Sequence, residues 1–69
     1  MNNDIELAEQ GNESEVLRAF MNGQLTDWNC RIALAQRLDS PNLMRLVVGD
    51  EDGDVSELAI AMLTKGGHI

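Results

Sequence analysis

The feature that most constrains the fold is an internal repeat. Residues 27–37 and 52–62 align at an offset of 25 positions: each opens with Asp, has an apolar residue three positions later, and continues into small and aliphatic side chains. A period between about 20 and 50 residues is typical of stacked helical units, each too small to bury its own apolar face. The repeat therefore predicts packed helical hairpins, whose surfaces more often bind proteins than perform chemistry.

A second pair of segments repeats in front of the first. Four residues, Val16, Arg18, Ala19 and Phe20, match Leu43, Arg45, Leu46 and Val47 at an offset of 27 positions. An insertion of two residues at Leu25 and Thr26 accounts for the difference between the two offsets. Both helices of each hairpin are therefore predicted to repeat.

Helix-capping residues set the expected boundaries. Asn12 and Glu15 have the spacing of a capping box, and so do Asp54 and Glu57. Ser40 followed by Pro41 is typical of a helix start, and Gly23 suits the residue after a helix end. Together these signals predict five helices at residues 4–10, 13–22, 27–38, 41–49 and 54–65.

The predicted fold is a single all-α domain over residues 1–69, with two helical hairpins and a short N-terminal helix. The hairpins span 13–38 and 40–65, and 66–69 form a flexible tail. A strand is the competing interpretation for the run Leu46–Val48. The Ser-Pro helix start and the neighbouring helices favour a helix there.

The repeat resembles HEAT-type helical repeats, and more closely the leucine-rich-repeat-variant family. The stretch from Asp39 to Val55 has that family's short Ser-Pro helix with spaced Leu, followed by an acidic loop, and Trp28–Ala35 has its second helix. Ser56 stands where the family usually has Arg. The resemblance implies an α-solenoid of about two repeats that is used for protein recognition, and it covers residues 13–65.

Charge narrows the range of partners. Twelve acidic residues against five basic ones give a net charge of −7. Direct binding of nucleic acid or of an anionic membrane requires a basic face, so neither is expected. A partner with a basic surface is favoured instead. A single cysteine and an N-terminus without an apolar leader are typical of a cytoplasmic protein.

No set of residues predicts catalysis, a cofactor or a metal. The acidic run from Asp50 resembles a calcium loop, but positions 6 and 12 of that loop would be Val55 and Ala61. Cys30 lies among predicted core positions with no base nearby in sequence, and His68 lies near the C-terminus. We therefore expect a non-enzymatic protein. Arg31 is expected to pair with Asp27 one helical turn away.

Three functions fit these observations. The first is a protein-interaction module that binds and inhibits or modulates a larger partner, with contact candidates Trp28, Met44, Asp50, Glu51 and Asp52. Trp28 and Met44 suit either the core or an interface. The second is an acidic mimic of nucleic acid that occupies a basic cleft, since the chain is similar in size and charge to small inhibitors of phages and mobile elements. The third is a structural homodimer.

Overall fold

A computed structural model describes residues 3–68, which form five α-helices and no strand. The helices are α1 (Asp4–Gln10), α2 (Glu13–Met21), α3 (Trp28–Ala35), α4 (Pro41–Leu46) and α5 (Gly53–Lys65). The all-α fold class predicted from the sequence is confirmed, and so is helix rather than strand at Leu46. α3 and α4 end three residues earlier than predicted.

The helices pack around α3 and α4, which make most of the contacts between helices. α3 lies between α1 and α5 and packs against both, and we call these three helices the α1–α3–α5 row. α2 packs principally on α4, and α4 also contacts α3 and α5. The α4–α5 pair therefore packs as a hairpin. The main packing partner of α2 is α4 rather than α3, so the 13–38 hairpin stays a prediction.

The core is aliphatic, as the scarcity of aromatic residues requires. The largest fully buried side chains are Leu25, Leu34, Leu43, Met44 and Leu63, together with Val16, Val47, Val55 and Cys30. Ala8, Ala35 and Ala59 are also buried, which places one small residue from each helix of the α1–α3–α5 row in the core. Small side chains let neighbouring helices approach closely, because less volume separates their axes.

The Asn12 capping box is confirmed. The Asn12 carboxamide oxygen accepts from the Glu15 N–H at 2.9 Å, and the Asn12 side-chain amide donates to the Glu15 carboxylate at 2.7 Å. α2 ends in a left-handed glycine at Gly23, with φ of 85°. There the Gln24 N–H donates to Ala19 O at 2.9 Å, which closes the helix as predicted.

Two predicted caps are wrong. The Ser40 side chain makes no cap hydrogen bond, although Pro41 does open α4. α5 begins one residue before the predicted start, and Asp52 rather than Asp54 caps it by accepting from the Asp54 N–H at 2.9 Å. An aspartate just before the first helical residue reaches a free N–H of the first turn, whereas one inside the helix does not.

The predicted tail begins with an ordered helix cap. Gly67 has φ of 77°, and the His68 N–H donates to Leu63 O at 2.9 Å. This arrangement satisfies carbonyls of the last turn of α5. Ile69 lies outside the described residues, and flexibility of 66–69 stays a prediction.

The α2–α3 link contains the only non-glycine residue with positive φ among residues 3–68. Leu25 has φ of 63° and is 1% exposed. Left-handed backbone costs a residue with a Cβ about 1–2 kcal/mol, whereas full burial of a leucine side chain contributes about 1.5–3 kcal/mol. Burial therefore outweighs the backbone strain, and Leu25 anchors the link to the core.

Candidate protein-binding surface

One side of α3 is joined to the acidic loop by an ion pair. Arg31 donates from Nη1 to Asp50 Oδ1 at 2.6 Å and from Nε to the Thr26 carbonyl at 3.1 Å. The expected pairing of Arg31 with Asp27 is wrong. Asp27 instead accepts from the Asn29 N–H at 3.3 Å and caps α3.

The loop carboxylates are used mainly to hold the loop together. The Asp50 side chain is 7% exposed, and Oδ1 also accepts from the Asp52 N–H at 2.9 Å. Asp52 caps α5. Glu51 is exposed and makes no hydrogen bond or ion pair within residues 3–68. Of the three predicted contact acids, only Glu51 keeps its carboxylate wholly available to a partner.

A buried arginine two residues beyond the end of α3 joins the α3–α4 link to α1. Arg37 is 7% exposed and donates to Ala8 O at 2.8 Å and to Gly11 O at 2.9 Å. Its Nε also donates to Asp39 Oδ1 at 3.0 Å. This hydrogen bond, together with the arginine charge, lowers the pKa of Asp39. One guanidinium thus satisfies carbonyls at the C-terminal end of α1 and fixes that helix on α3.

An open groove of about 430 Å³ lies between α1 and α3. Ile5 and Glu9 of α1 form one wall. The residues that line it from α3 and its cap are Asp27, Asn29, Cys30, Ile32, Ala33 and Gln36. None of these lining residues is basic. The groove therefore combines an apolar surface with an anionic rim.

Cys30 lies at the bottom of this groove and is 2% exposed. Its burial raises the pKa of the thiol, and the nearby carboxylates of Asp27, Asp4 and Glu9 raise that pKa further. A thiol held protonated is a poor nucleophile. Cys30 therefore belongs to the buried core, and the carboxylates near it add to the effect of burial on its pKa.

Large apolar side chains are exposed along the α1–α3–α5 row. Ile5, Trp28 and Ile60 are 38%, 44% and 42% exposed, and each belongs to a different helix of that row. On α5, Ile60 lies at the edge of the buried face formed by Val55, Ala59 and Leu63. We call the solvent-facing side of these three helices the outer face. Met21 and Leu38 are exposed elsewhere.

The two apolar contact candidates differ in exposure: one lies at the surface and the other in the core. Trp28, the first residue of α3, lies on the outer face. Met44 is 0% exposed and belongs to the core, so its prediction as a partner contact is wrong. The run from Leu43 to Val48 is nearly all apolar, and such a run does not show which of its side chains a neighbouring helix covers.

Two further structural findings bear on function. Within residues 3–68, no group of three or more His, Cys, Asp or Glu side chains is placed to hold a metal ion. In the same part of the chain, no helix combines the length and hydrophobicity that a bilayer crossing requires.

Comparisons with known proteins do not identify this chain. No protein-family model matches it, and neither a curated protein nor a solved structure is significantly similar to it.

Sequence reasoning missed the groove and the Arg37 junction. Ile5 and Glu9 are one turn apart on a helix too short to show a clear apolar stripe. Arg37 falls inside the predicted helix 27–38 with no role assigned to it, and its carbonyl partners lie 26 and 29 positions away in the chain. Neither feature has a local sequence signal, because both depend on where α1 docks.

Proposed function

We propose that this chain is a small non-enzymatic protein-interaction module that binds a larger protein and modulates it by covering part of its surface. The observation that carries the proposal is the exposure of Trp28. The largest apolar side chain of the chain is 44% exposed, while Leu34, Leu43 and Met44 are 0% exposed. Tryptophan is the residue type most enriched among the anchors of protein interfaces.

The surroundings of Trp28 support a partner with a basic surface. Ile5 and Ile60 are exposed on the two helices that flank α3. Glu6 and Glu9, on the same helix as Ile5, are exposed as well. Exposed apolar side chains with carboxylates on the same helix favour a partner of opposite charge, because complementary charges speed association and exclude wrong partners.

The alternation of the helices supports a second part of the proposal, that the chain is a short α-solenoid. α1, α3 and α5 form the row, and α4 packs against α5, α3 and α2. Helix pairs stacked in this way build extended surfaces for protein recognition. The outer face is then the recognition surface of a stack of about two repeats.

Nothing in the acidic loop favours the nucleic-acid mimic over this proposal. A mimic places accessible carboxylates where phosphates would lie, but Asp50 is paired with Arg31 and is nearly buried. In the homodimer, a second copy of the chain would cover the same face. Both alternatives are distinguished from a protein-binding module by the experiment below.

The test is affinity capture from a cell extract with two matched variants. Trp28→Ala removes the exposed anchor of the outer face, and Met21→Ala removes an apolar residue that is 81% exposed on α2. We expect the wild type and Met21→Ala to capture the same stoichiometric partner and Trp28→Ala to lose it. Circular dichroism shows whether both variants keep the wild-type helix content.

Salt concentration separates the alternatives. An apolar contact survives about 0.5 M salt, where the screening length falls to a few ångströms. A partner that both variants retain, and that moderate salt releases, would contradict the module and favour the mimic. Capture of the chain by itself, with self-association in light scattering, would favour the homodimer.

A further inference from the structure

The groove between α1 and α3 has the shape of a helix-binding site. Asn29 and Gln36 line it seven positions apart on α3, a distance of about 10 Å at 1.5 Å per residue. On α1, Ile5 and Glu9 are one turn apart. A groove between two helices, about two turns long, accommodates a third helix that presents side chains at positions i and i+4.

The lining defines the chemistry of the occupant. Ile5 is 38% exposed at the rim, and Ile32 is half-buried, so the groove offers aliphatic surface to an aliphatic side chain. Glu9 is exposed, and its carboxylate makes no hydrogen bond or ion pair within residues 3–68. The Asp27 carboxylate has one 3.3 Å hydrogen bond, from the Asn29 N–H, and so retains acceptor capacity.

We propose that the groove between α1 and α3 binds a basic amphipathic helix of a protein partner. An aliphatic side chain of that helix packs against Ile5 and Ile32, and a lysine or arginine one turn away lies beside Glu9 and Asp27. Charge complementarity selects this occupant, because no residue that lines the groove is basic. The inference rests on the proposed function and names the partner segment that the module recognises.

The test is a titration of the isotope-labelled full chain, followed by backbone amide chemical shifts, with two synthetic peptides. One peptide places Leu on one face of a helix and Lys on the other. The second has the same composition in a shuffled order without an apolar face. We expect the first peptide to shift the Ile32, Ala33 and Gln36 signals, and the shuffled peptide to bind at least about tenfold more weakly, because it buries no continuous apolar face.

A matched pair of charge reversals separates the groove from overall charge. Glu9→Lys reverses a charge at the rim, in the last turn of α1, where a cation is compatible with the helix dipole. Glu57→Lys makes the same change in net charge on α5, outside the groove. We expect Glu9→Lys to weaken binding of the amphipathic peptide by about fivefold and Glu57→Lys by less than about twofold.

Three results would overturn the proposal. Equal binding of both peptides would mean that overall charge alone drives the interaction. Shifts confined to α5 or to the acidic loop would place the helix elsewhere. Groove signals that move when the protein alone is diluted would identify a second copy as the occupant.

The experiments distinguish failure of helix binding in the groove from failure of the proposed protein-interaction function. Capture that depends on Trp28, without peptide binding in the groove, would overturn only the present inference. Peptide binding in the groove, with capture indifferent to Trp28, would support the groove and contradict the role of Trp28.

Discussion

The two sides of α3 use their carboxylates differently. On the loop side, Asp50 is 7% exposed, binds Arg31 and orders the loop that leads into α5. On the α1 side, Glu9 is exposed at the rim of the groove, and its carboxylate has no hydrogen bond or ion pair within residues 3–68. The clustering of acidic residues in the sequence therefore does not show which of them can bind a partner. An acidic side chain is available to a partner only where no group of the fold already pairs with it.

Arg37 holds α1 in place through hydrogen bonds. Its removal has the largest expected effect on the free energy of unfolding. Arg37→Ala deletes hydrogen bonds from a charged donor to Ala8 O and Gly11 O. We expect a loss of about 3 kcal/mol in the free energy of unfolding, since each such bond contributes about 1.5–3 kcal/mol and some water replaces it. Urea denaturation measures the loss.

Arg45 provides the matched control for Arg37. It is exposed, and its guanidinium donates to Asn42 at 2.9 Å. Arg45→Ala is expected to cost less than about 0.5 kcal/mol. Equal losses for the two variants would mean that α1 does not depend on the Arg37 junction, and the groove wall would then lack its support.

Asp50 tests the other side of α3. Asp50→Ala leaves Arg31 without its carboxylate and the Asp52 N–H without its acceptor. We expect a loss of about 2 kcal/mol by chemical denaturation, because a charged, partly buried partner is left unsatisfied. Glu51→Ala, one residue away and exposed, should change stability by less than about 0.5 kcal/mol. A similar small change for both variants would remove the distinction between structural and available acids.

The predictions from sequence succeeded where the physics is local. Asn12 and Glu15 are three positions apart, so their capping box is visible in the chain itself. The partner of Arg31 is 19 positions away, so the nearer Asp27 was expected instead. Met44 suits either the core or an interface by residue type, and it was named as a contact candidate although the fold buries it. Both predictions were wrong because contacts between distant parts of the chain determine the partner of Arg31 and the burial of Met44.

Leu25 provides a further test of the loop side of α3. It lies beside Arg31 and Glu51 at a small surface depression. Leu25→Ala loses buried side-chain contacts but keeps a Cβ at φ of 63°. Leu25→Gly loses the same contacts and relieves the strained backbone. We expect the glycine variant to be more stable than the alanine variant by about 1 kcal/mol, the reverse of their usual order. The alanine variant unfolding at higher urea than the glycine variant would contradict a left-handed Leu25.

The smallest expected effect is the response of Cys30 to alkaline pH, which probes the α1 side. Burial, then the charges of Asp27, Asp4 and Glu9, raise the pKa of this thiol in the folded state. The folded protein thus holds the thiol proton at a pH where the unfolded chain has released it. The free energy of unfolding falls as pH rises from the unfolded pKa toward the folded pKa, and the Cys30 contribution is fully present below the unfolded pKa.

The measurement is urea denaturation between about pH 8 and pH 10, with Cys30→Ala as the reference that cannot titrate at this position. We expect the wild type to lose more stability than Cys30→Ala over this range. Glu9→Gln in the wild-type background should reduce the difference slightly, because it removes one of the charges that raise the thiol pKa. Parallel pH profiles for wild type and Cys30→Ala would mean that the thiol proton is held no more tightly in the folded state than in the unfolded chain, which would contradict the raised pKa.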